Sequence, residues 1–317
     1  MKKTWRIVLP ALLVGSFISF ADTKDKREIN DKAVTEEICP CEMEGMDLEE
    51  AYNRSMANAG VSQQVSKETP KYLNPNIPIE ERIDDLLPRL TLEEKVIQLS
   101  DSWGSKGIAR LKIPAMLKTE GLHGQSYATG STIFPHGINM GSTFDTELIQ
   151  EVGKATAIEA KAANLRVSWS PVLDVARDAR WGRVEETYGE DPYLVGRIGV
   201  AWIKGFQGEH MFACPKHFAG HGQPVGGRDS HDYGLSDRVM RNIHLAPFRD
   251  VIKEANAFGV MAAYGLWNGV PDNGSKELLQ KILREEWGFE GFVVSDCSGP
   301  ENIQRKQSVV GTMEEAA

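Results

Sequence analysis

Six side chains in the 317-residue sequence combine charge with hydrogen-bonding capacity: Glu120, Arg183, Lys216, His217, Tyr264 and Asp296. They lie far apart in the chain, yet each comes shortly after an apolar segment. A carboxylate among cations can attack an anomeric carbon, while the cations and a second carboxylate hold sugar hydroxyls through short charge-assisted hydrogen bonds. The set therefore suits a polyhydroxylated substrate. There is no nucleophile elbow with a Ser-His-Asp set and no HExxH pair for zinc. No metal, nucleotide or redox cofactor is expected.

Something must carry these groups to one place. The apolar segments 113–117, 165–172, 211–214, 259–263 and 292–294 alternate with helix signals. Thr91-Leu92-Glu93-Glu94 is a capping box that opens a helix with Val96, Ile97 and Leu99 on it. Asp145 caps a helix with Leu148, Ile149, Val152 and Ile158, and Asp191-Pro192 opens another with Leu194, Ile198, Trp202 and Ile203. Ser236 and Ser275 open two more. Alternating strands and helices imply parallel βαβ units. An open doubly wound sheet would gather its chemistry at one switch point. Groups that follow many separate strands converge more naturally at the carboxyl end of a (β/α)8 TIM-type barrel. The expected class is therefore α/β, of barrel type.

Lys+Arg is 36 and Asp+Glu is 45, a formal charge of −9. Such a balance speaks against nucleic acid or anionic lipid as a partner. Lys2, Lys3 and Arg6 precede an apolar run from 7 to 20 and a small-x-small site at Ser19-Phe20-Ala21. This predicts a signal peptide over 1–21, an exported periplasmic or extracellular protein, and no membrane span after cleavage. Residues 22–70 hold six basic, twelve acidic and one aromatic residue, the composition of a disordered spacer. Cys39 and Cys41 fall there with no second ligand pair nearby, so a local disulfide or an inert pair is expected.

The stretches RWGRVEETYGEDPYL (180–194), KHFAGHG (216–222) and GFEGFVVSD (288–296) resemble glycoside hydrolase family 3, and the likeness runs from about Tyr72 to the last residue. It implies an N-terminal barrel domain over 71–317. It also implies retaining hydrolysis of terminal, non-reducing β-linked sugars, of β-glucosidase type, in oligosaccharides or in aryl or alkyl β-glycosides. Carried over by position, Asp296 is the nucleophile. Lys216, His217, Arg183 and Glu120 bind the sugar, and Tyr264 supports the nucleophile. Asp174 is expected to be structural. Glucosidase-like members usually carry Asp where Glu120 stands, whereas xylosidase-like members often carry Glu, so a xyloside or arabinoside is the alternative. Cys297 takes the place of a common aromatic and is expected either to weaken a stacking wall or to be a small buried residue.

Retaining hydrolysis needs an acid/base group about 5 to 5.5 Å from the nucleophile. In glucosidase-like members that Glu comes from a second, C-terminal α/β domain. Only 21 residues follow Asp296, and the capping box Thr312-Met313-Glu314-Glu315 opens a helix at the very end. The expectation is a barrel cut before closure and before that second domain. Asp229-Ser230-His231 offers another source. It resembles the loop of family members acting on N-acetylglucosaminides, in which an Asp–His dyad supplies the proton. A noncatalytic sugar-binding barrel fits the 317 residues by themselves.

Overall fold

The computed structural model describes residues 69–100, 104–126 and 129–317. The expected signal peptide, the spacer apart from its last two residues, and Cys39 and Cys41 lie outside the described residues. The chain divides into two units. The smaller takes in residues up to Arg89 together with Gly107–Pro114. It holds helix α1 (Ile79–Leu86), and buried Tyr72 donates its hydroxyl to Leu111 O at 2.8 Å. Residues 108–113 close on themselves through an antiparallel bridge, so the first predicted strand starts later than its apolar pattern suggests.

The larger unit, Leu90–Lys106 with Ala115–Ala317, carries the strands β1 (Gly104–Ser105), β2 (Met116–Thr119), β3 (Val167–Ser168), β4 (Phe212–Ala213), β5 (Gly259–Ala262), β6 (Leu266–Trp267), β7 (Val270–Pro271) and β8 (Phe292–Ser295). Strand β2 pairs parallel with β3, and β3 with β4. Just beyond β4, Phe218 N donates to Met261 O at 2.7 Å and Ala263 N to Phe218 O at 2.8 Å, which joins that segment in parallel to β5. Strand β5 pairs parallel with β8 over four residues. Five strands thus run parallel in chain order, the progression of a barrel wall and not the reversal of a doubly wound sheet. Among the described residues no ladder joins β8 back to β1 or β2, so the wall is seen as an arc.

The helices form where their caps predict. Helix α2 (Leu92–Ser100) starts with the reciprocal capping box, Thr91 N to Glu94 Oε2 at 2.8 Å and Glu94 N to Thr91 Oγ1 at 3.2 Å. Val96, Ile97 and Leu99 on it are exposed. Asp145 caps α3 (Thr146–Ala162) by accepting from Leu148 N. Asp191 caps α4 (Pro192–Gly208), with proline in its first turn. These two helices pack backbone to backbone. A Cβ on Gly205 would sit 2.0 Å from Gln150 O, and one on Gly153 would sit 2.4 Å from Trp202 O, so neither position admits a side chain. Around this crossing Ile149, Ile198, Trp202, Ile203 and Phe206 are fully buried, with Trp202 stacked on Phe206 at 4.8 Å. Leu148 and Ile158 on α3 remain half exposed, because the buried stripe is narrower than the apolar pattern.

The segments opened by Ser236 and Ser275 do become helical. They pass through wider π-type turns, Met240–His244 before α5 (Ala246–Ala255), and Glu277–Glu286. The chain ends in two short helices, α6 (Gly299–Arg305) and α7 (Met313–Ala316), the second opened by the predicted Thr312 capping box. No helix among the described residues is long and apolar enough to cross a membrane.

His244 is buried and its Nε2 meets Gln223 Oε1 at 3.1 Å. Burial, and then the charge of Arg177, push it down to about 4 from its ordinary 6.5. The unfolded chain takes up a proton near pH 6.5 while the folded one does not. The stability this neutral histidine contributes is therefore present above pH 6.5 and lost as pH falls toward 4, by on the order of 2–3 kcal/mol. Replacing His244 by Gln is expected to flatten that part of the acid dependence by about 2 kcal/mol in denaturant unfolding. A variant whose pH dependence runs parallel to the wild type between pH 4 and 6.5 would disprove this.

Candidate active site

The carboxyl ends of the parallel strands bring most of the six predicted residues into one hydrogen-bonded set. Asp296 follows β8 directly. Its Oδ1 accepts from Cys297 N at 2.7 Å, its Oδ2 lies 3.4 Å from His217 Nε2, and its side chain is 14% exposed. Tyr264, two residues past β5, stands beside Asp296. Burial first, and then the adjacent Asp296 carboxylate, push the Tyr264 hydroxyl well above its ordinary value. Lys216 and His217 follow β4. Lys216 Nζ donates to Glu120 Oε2 at 2.7 Å, and Glu120 itself follows β2. The cation is buried and the carboxylate is 27% exposed, so Glu120 has the freer face.

Arg183 sits in the long connection after β3. Its Nε and one terminal nitrogen make a fork to Glu186, both bonds at 2.8 Å, and that terminal nitrogen also lies 3.1 Å from His217 Nε2. The other terminal nitrogen lies 3.2 Å from His221 Nε2. Arg183 is thus both a partner of Glu186 and a member of the charged set.

His217 is fully buried. Its Nδ1 lies 2.7 Å from Asp174 Oδ2, which also accepts from His217 N at 3.2 Å. Desolvation first, and then His221 and the cations of Arg183 and Lys216 nearby, lower His217 well below its ordinary value. A neutral ring that donates from Nδ1 to Asp174 has its lone pair on Nε2, where Arg183 donates. Asp174 therefore sets the tautomer of a site histidine, a role that reading it as structural does not capture.

Asp229 and His231 do not form a dyad in the structure. The His231 ring is exposed, and that residue takes part through its carbonyl, which accepts from Leu266 N at 3.4 Å. Asp229 Oδ1 instead lies 3.0 Å from His221 Nε2 and accepts from Trp181 Nε1 at 3.0 Å. The physical reason is that buried Trp181 and His221 both present nitrogens that need an acceptor, whereas an exposed His231 has water. Burial raises the Asp229 carboxyl, but the hydrogen bond and charge of His221 outweigh it and, with Trp181, hold it below the usual carboxylate range. His221 and Trp181 are site residues that the sequence analysis missed. Their signal was present, because both lie inside the family-like motifs.

Beside Asp296 opens a cavity of about 400 Å³, lined by Asp229, Tyr264, Cys297, Glu301 and Lys306 among others. Cys297 is exposed on its wall, which corrects the expectation of a small buried residue. The Lys306 ammonium lies 5.9 Å from the centre of the Tyr264 ring.

Comparison with known proteins agrees with this geometry. Residues 91–317 match the N-terminal domain of glycosyl hydrolase family 3. A β-xylosidase of Formosa agariphila is 38% identical over 257 residues, covering 77% of this chain and 35% of the relative. A β-glucosidase of Rhizobium radiobacter is 38% identical over 225 residues, covering 68% of this chain and 27% of the relative. The solved structure of a β-glucosidase from Erythrobacter marinus superposes with a TM-score of 0.63 at 40% identity, covering 64% of this chain and 28% of that one. The chain thus spans between about a quarter and a third of the length of these relatives. With its motifs in order, its strands in barrel progression and its charged groups gathered past their carboxyl ends, the chain belongs to glycoside hydrolase family 3.

Proposed function

We propose that this protein takes part in retaining hydrolysis of terminal, non-reducing β-glycosides, with Asp296 as nucleophile. The observation that carries this is the placement of Asp296: rigid at a strand tip, one oxygen held by Cys297 N–H, the other facing His217, with Tyr264 and Arg183 alongside. In the first step a carboxylate oxygen bonds to the anomeric carbon. The glycosidic C–O bond breaks, and its electron pair leaves with the aglycone oxygen, which takes a proton from the acid/base group. Water then attacks the anomeric carbon and gives its proton to the acid/base group, the ester C–O bond breaks to return the carboxylate, and the β configuration is preserved. Glu120, Lys216, His217 and Arg183 hold hydroxyls during both steps, and relatives named β-glucosidase and β-xylosidase support a β-linked substrate. The basic, apolar start of the sequence supports export, and one relative is a periplasmic β-glucosidase of Salmonella typhimurium.

We take β-glucosides as the first substrate class. A second class, β-xylosides, is favoured by Glu120. Its side chain, one methylene longer than Asp and braced by Lys216, would crowd a hydroxymethyl group that a xyloside lacks. The two are separated with dinitrophenyl 2-deoxy-2-fluoro-β-glucoside and the matching xyloside. Their leaving group departs as a stable anion, so trapping does not depend on the proton donor. A covalent glycosyl adduct on the peptide bearing Asp296 is expected, formed faster with the glucoside. Labelling at least about tenfold faster with the xyloside would establish the second class, since one added carbon in a sugar site is worth about 10–200-fold. No adduct with either sugar, or an adduct on another residue, would refute the mechanism.

A further inference from the structure

His221 Nε2 is contested. Asp229 Oδ1 lies 3.0 Å from it and Arg183 NH1 lies 3.2 Å from it. An imidazole nitrogen either carries a proton and donates, or carries a lone pair and accepts, so it serves only one of the two. Arg183 always donates and Asp229, as a carboxylate, always accepts. Two observations decide the contest. The carboxylate contact is the shorter and is charge-assisted. In addition, the Nδ1 of His221 is buried with no partner. A proton placed there would be an orphaned buried donor, whereas a proton on Nε2 has Asp229 to receive it.

The consequence falls on Arg183. Its Nε–H and both hydrogens of NH2 are committed to Glu186 and His217. The two hydrogens of NH1 are all that remain for a substrate. We propose that Asp229 is a positioning residue: by holding the proton on His221 Nε2 it withdraws the acceptor that Arg183 NH1 meets among the described residues and leaves that nitrogen free to hold sugar hydroxyls. Asp229 thereby acts through His221 and need not touch the sugar. The Trp181 indole, which donates to the same Asp229 oxygen, fixes the carboxylate for this task. This inference rests on the glycoside reading of the site for its second half only, since the proton position belongs to the free protein.

The test has two arms. In the first, nitrogen NMR of the histidine side chains reports the His221 tautomer without substrate. The Nε2–H form is expected in the wild type and in Asp229→Asn, whose carbonyl oxygen still accepts, and the Nδ1–H form in Asp229→Ala. In the second, a competitive iminosugar inhibitor is titrated against each variant. Asp229→Ala is expected to weaken its binding about tenfold, the worth of a hydrogen bond to a charged group, and Asp229→Asn to stay within about threefold. In a His221→Phe background, Asp229→Ala should change inhibitor binding no further. An unchanged tautomer in Asp229→Ala overturns the inference. So does an Asn variant as weak as the Ala variant, or an Asp229→Ala loss that persists in the His221→Phe background, which would mean direct contact with the sugar. If the tautomers behave as expected but the wild type neither binds the inhibitor nor traps the fluoro-sugar, the glycoside reading has failed instead.

Discussion

Replacing Asp296 by Asn is expected to lower glycoside turnover by on the order of ten-thousandfold while leaving the fold and sugar binding intact. The amide is nearly the same shape as the carboxylate. Its oxygen can still accept from Cys297 N, and its NH2 can donate to the lone pair that His217 presents on Nε2. What it lacks is an anionic oxygen able to form and later release a glycosyl ester, so the loss falls on the chemical step and not on binding. Steady-state turnover of a dinitrophenyl β-glycoside, read beside inhibitor affinity, separates the two. A second variant sharpens the claim. In Asp296→Ala, azide can enter the vacated space and attack the anomeric carbon, expelling dinitrophenolate and giving the glycosyl azide of inverted configuration. Retention of more than about a tenth of wild-type turnover by the Asn variant, or formation of the retained azide by the Ala variant, would remove Asp296 from the nucleophile's place.

The parts of this site that were legible in the sequence share a physical trait: they depend on short-range rules. The caps at Asp145, Asp191, Ser236, Ser275 and Thr312 all form, because a side-chain oxygen two or three residues ahead of an orphan N–H needs no tertiary help. The apolar segments became strands within a few residues of where the pattern put them, since burial on both faces rewards continuous apolar runs. What could not be read is partner choice across the fold. Nothing local says that Asp229 bonds to His221 and not to His231 two positions away, because the choice turns on which nitrogens are cut off from water. Likewise the exposed Val96 and Leu99 look the same in sequence as the buried Ile149, and only the packing of other elements distinguishes them.

Asp174 should matter next after the nucleophile, and for a reason visible only in three dimensions. Replacing it by Ala removes the acceptor of two buried donors, His217 Nδ1–H and His217 N–H. Each orphaned donor costs about 1–3 kcal/mol, so a stability loss of about 3 kcal/mol is expected. The ring escapes the orphaned Nδ1–H only by moving its proton to Nε2, at the cost of facing the Arg183 donor that now points at a lone pair. That clash breaks the link between His217 and Arg183, and turnover should fall by at least about a hundredfold. Asp174→Asn behaves differently. Its oxygen can accept both donors, so activity should largely survive and the pH response should change instead. Burial, opposed by His221 and Arg183, raises Asp174 from 3.8 to about 6 in the folded protein. A raised carboxyl contributes stability that is fully present below pH 3.8 and lost as pH rises through about 6. The lowered His217 contributes stability that is present above pH 6.5 and lost as pH falls. In the wild type the two slopes oppose each other. Asp174→Asn removes the first and leaves the second uncovered, so the variant should lose stability more steeply than the wild type as pH falls below 6.5. Denaturant unfolding of both proteins between pH 4 and 7 measures the difference. Parallel curves would mean that the two groups do not share the proton, and an Ala variant as stable and active as the wild type would mean that His217 does not depend on Asp174 at all.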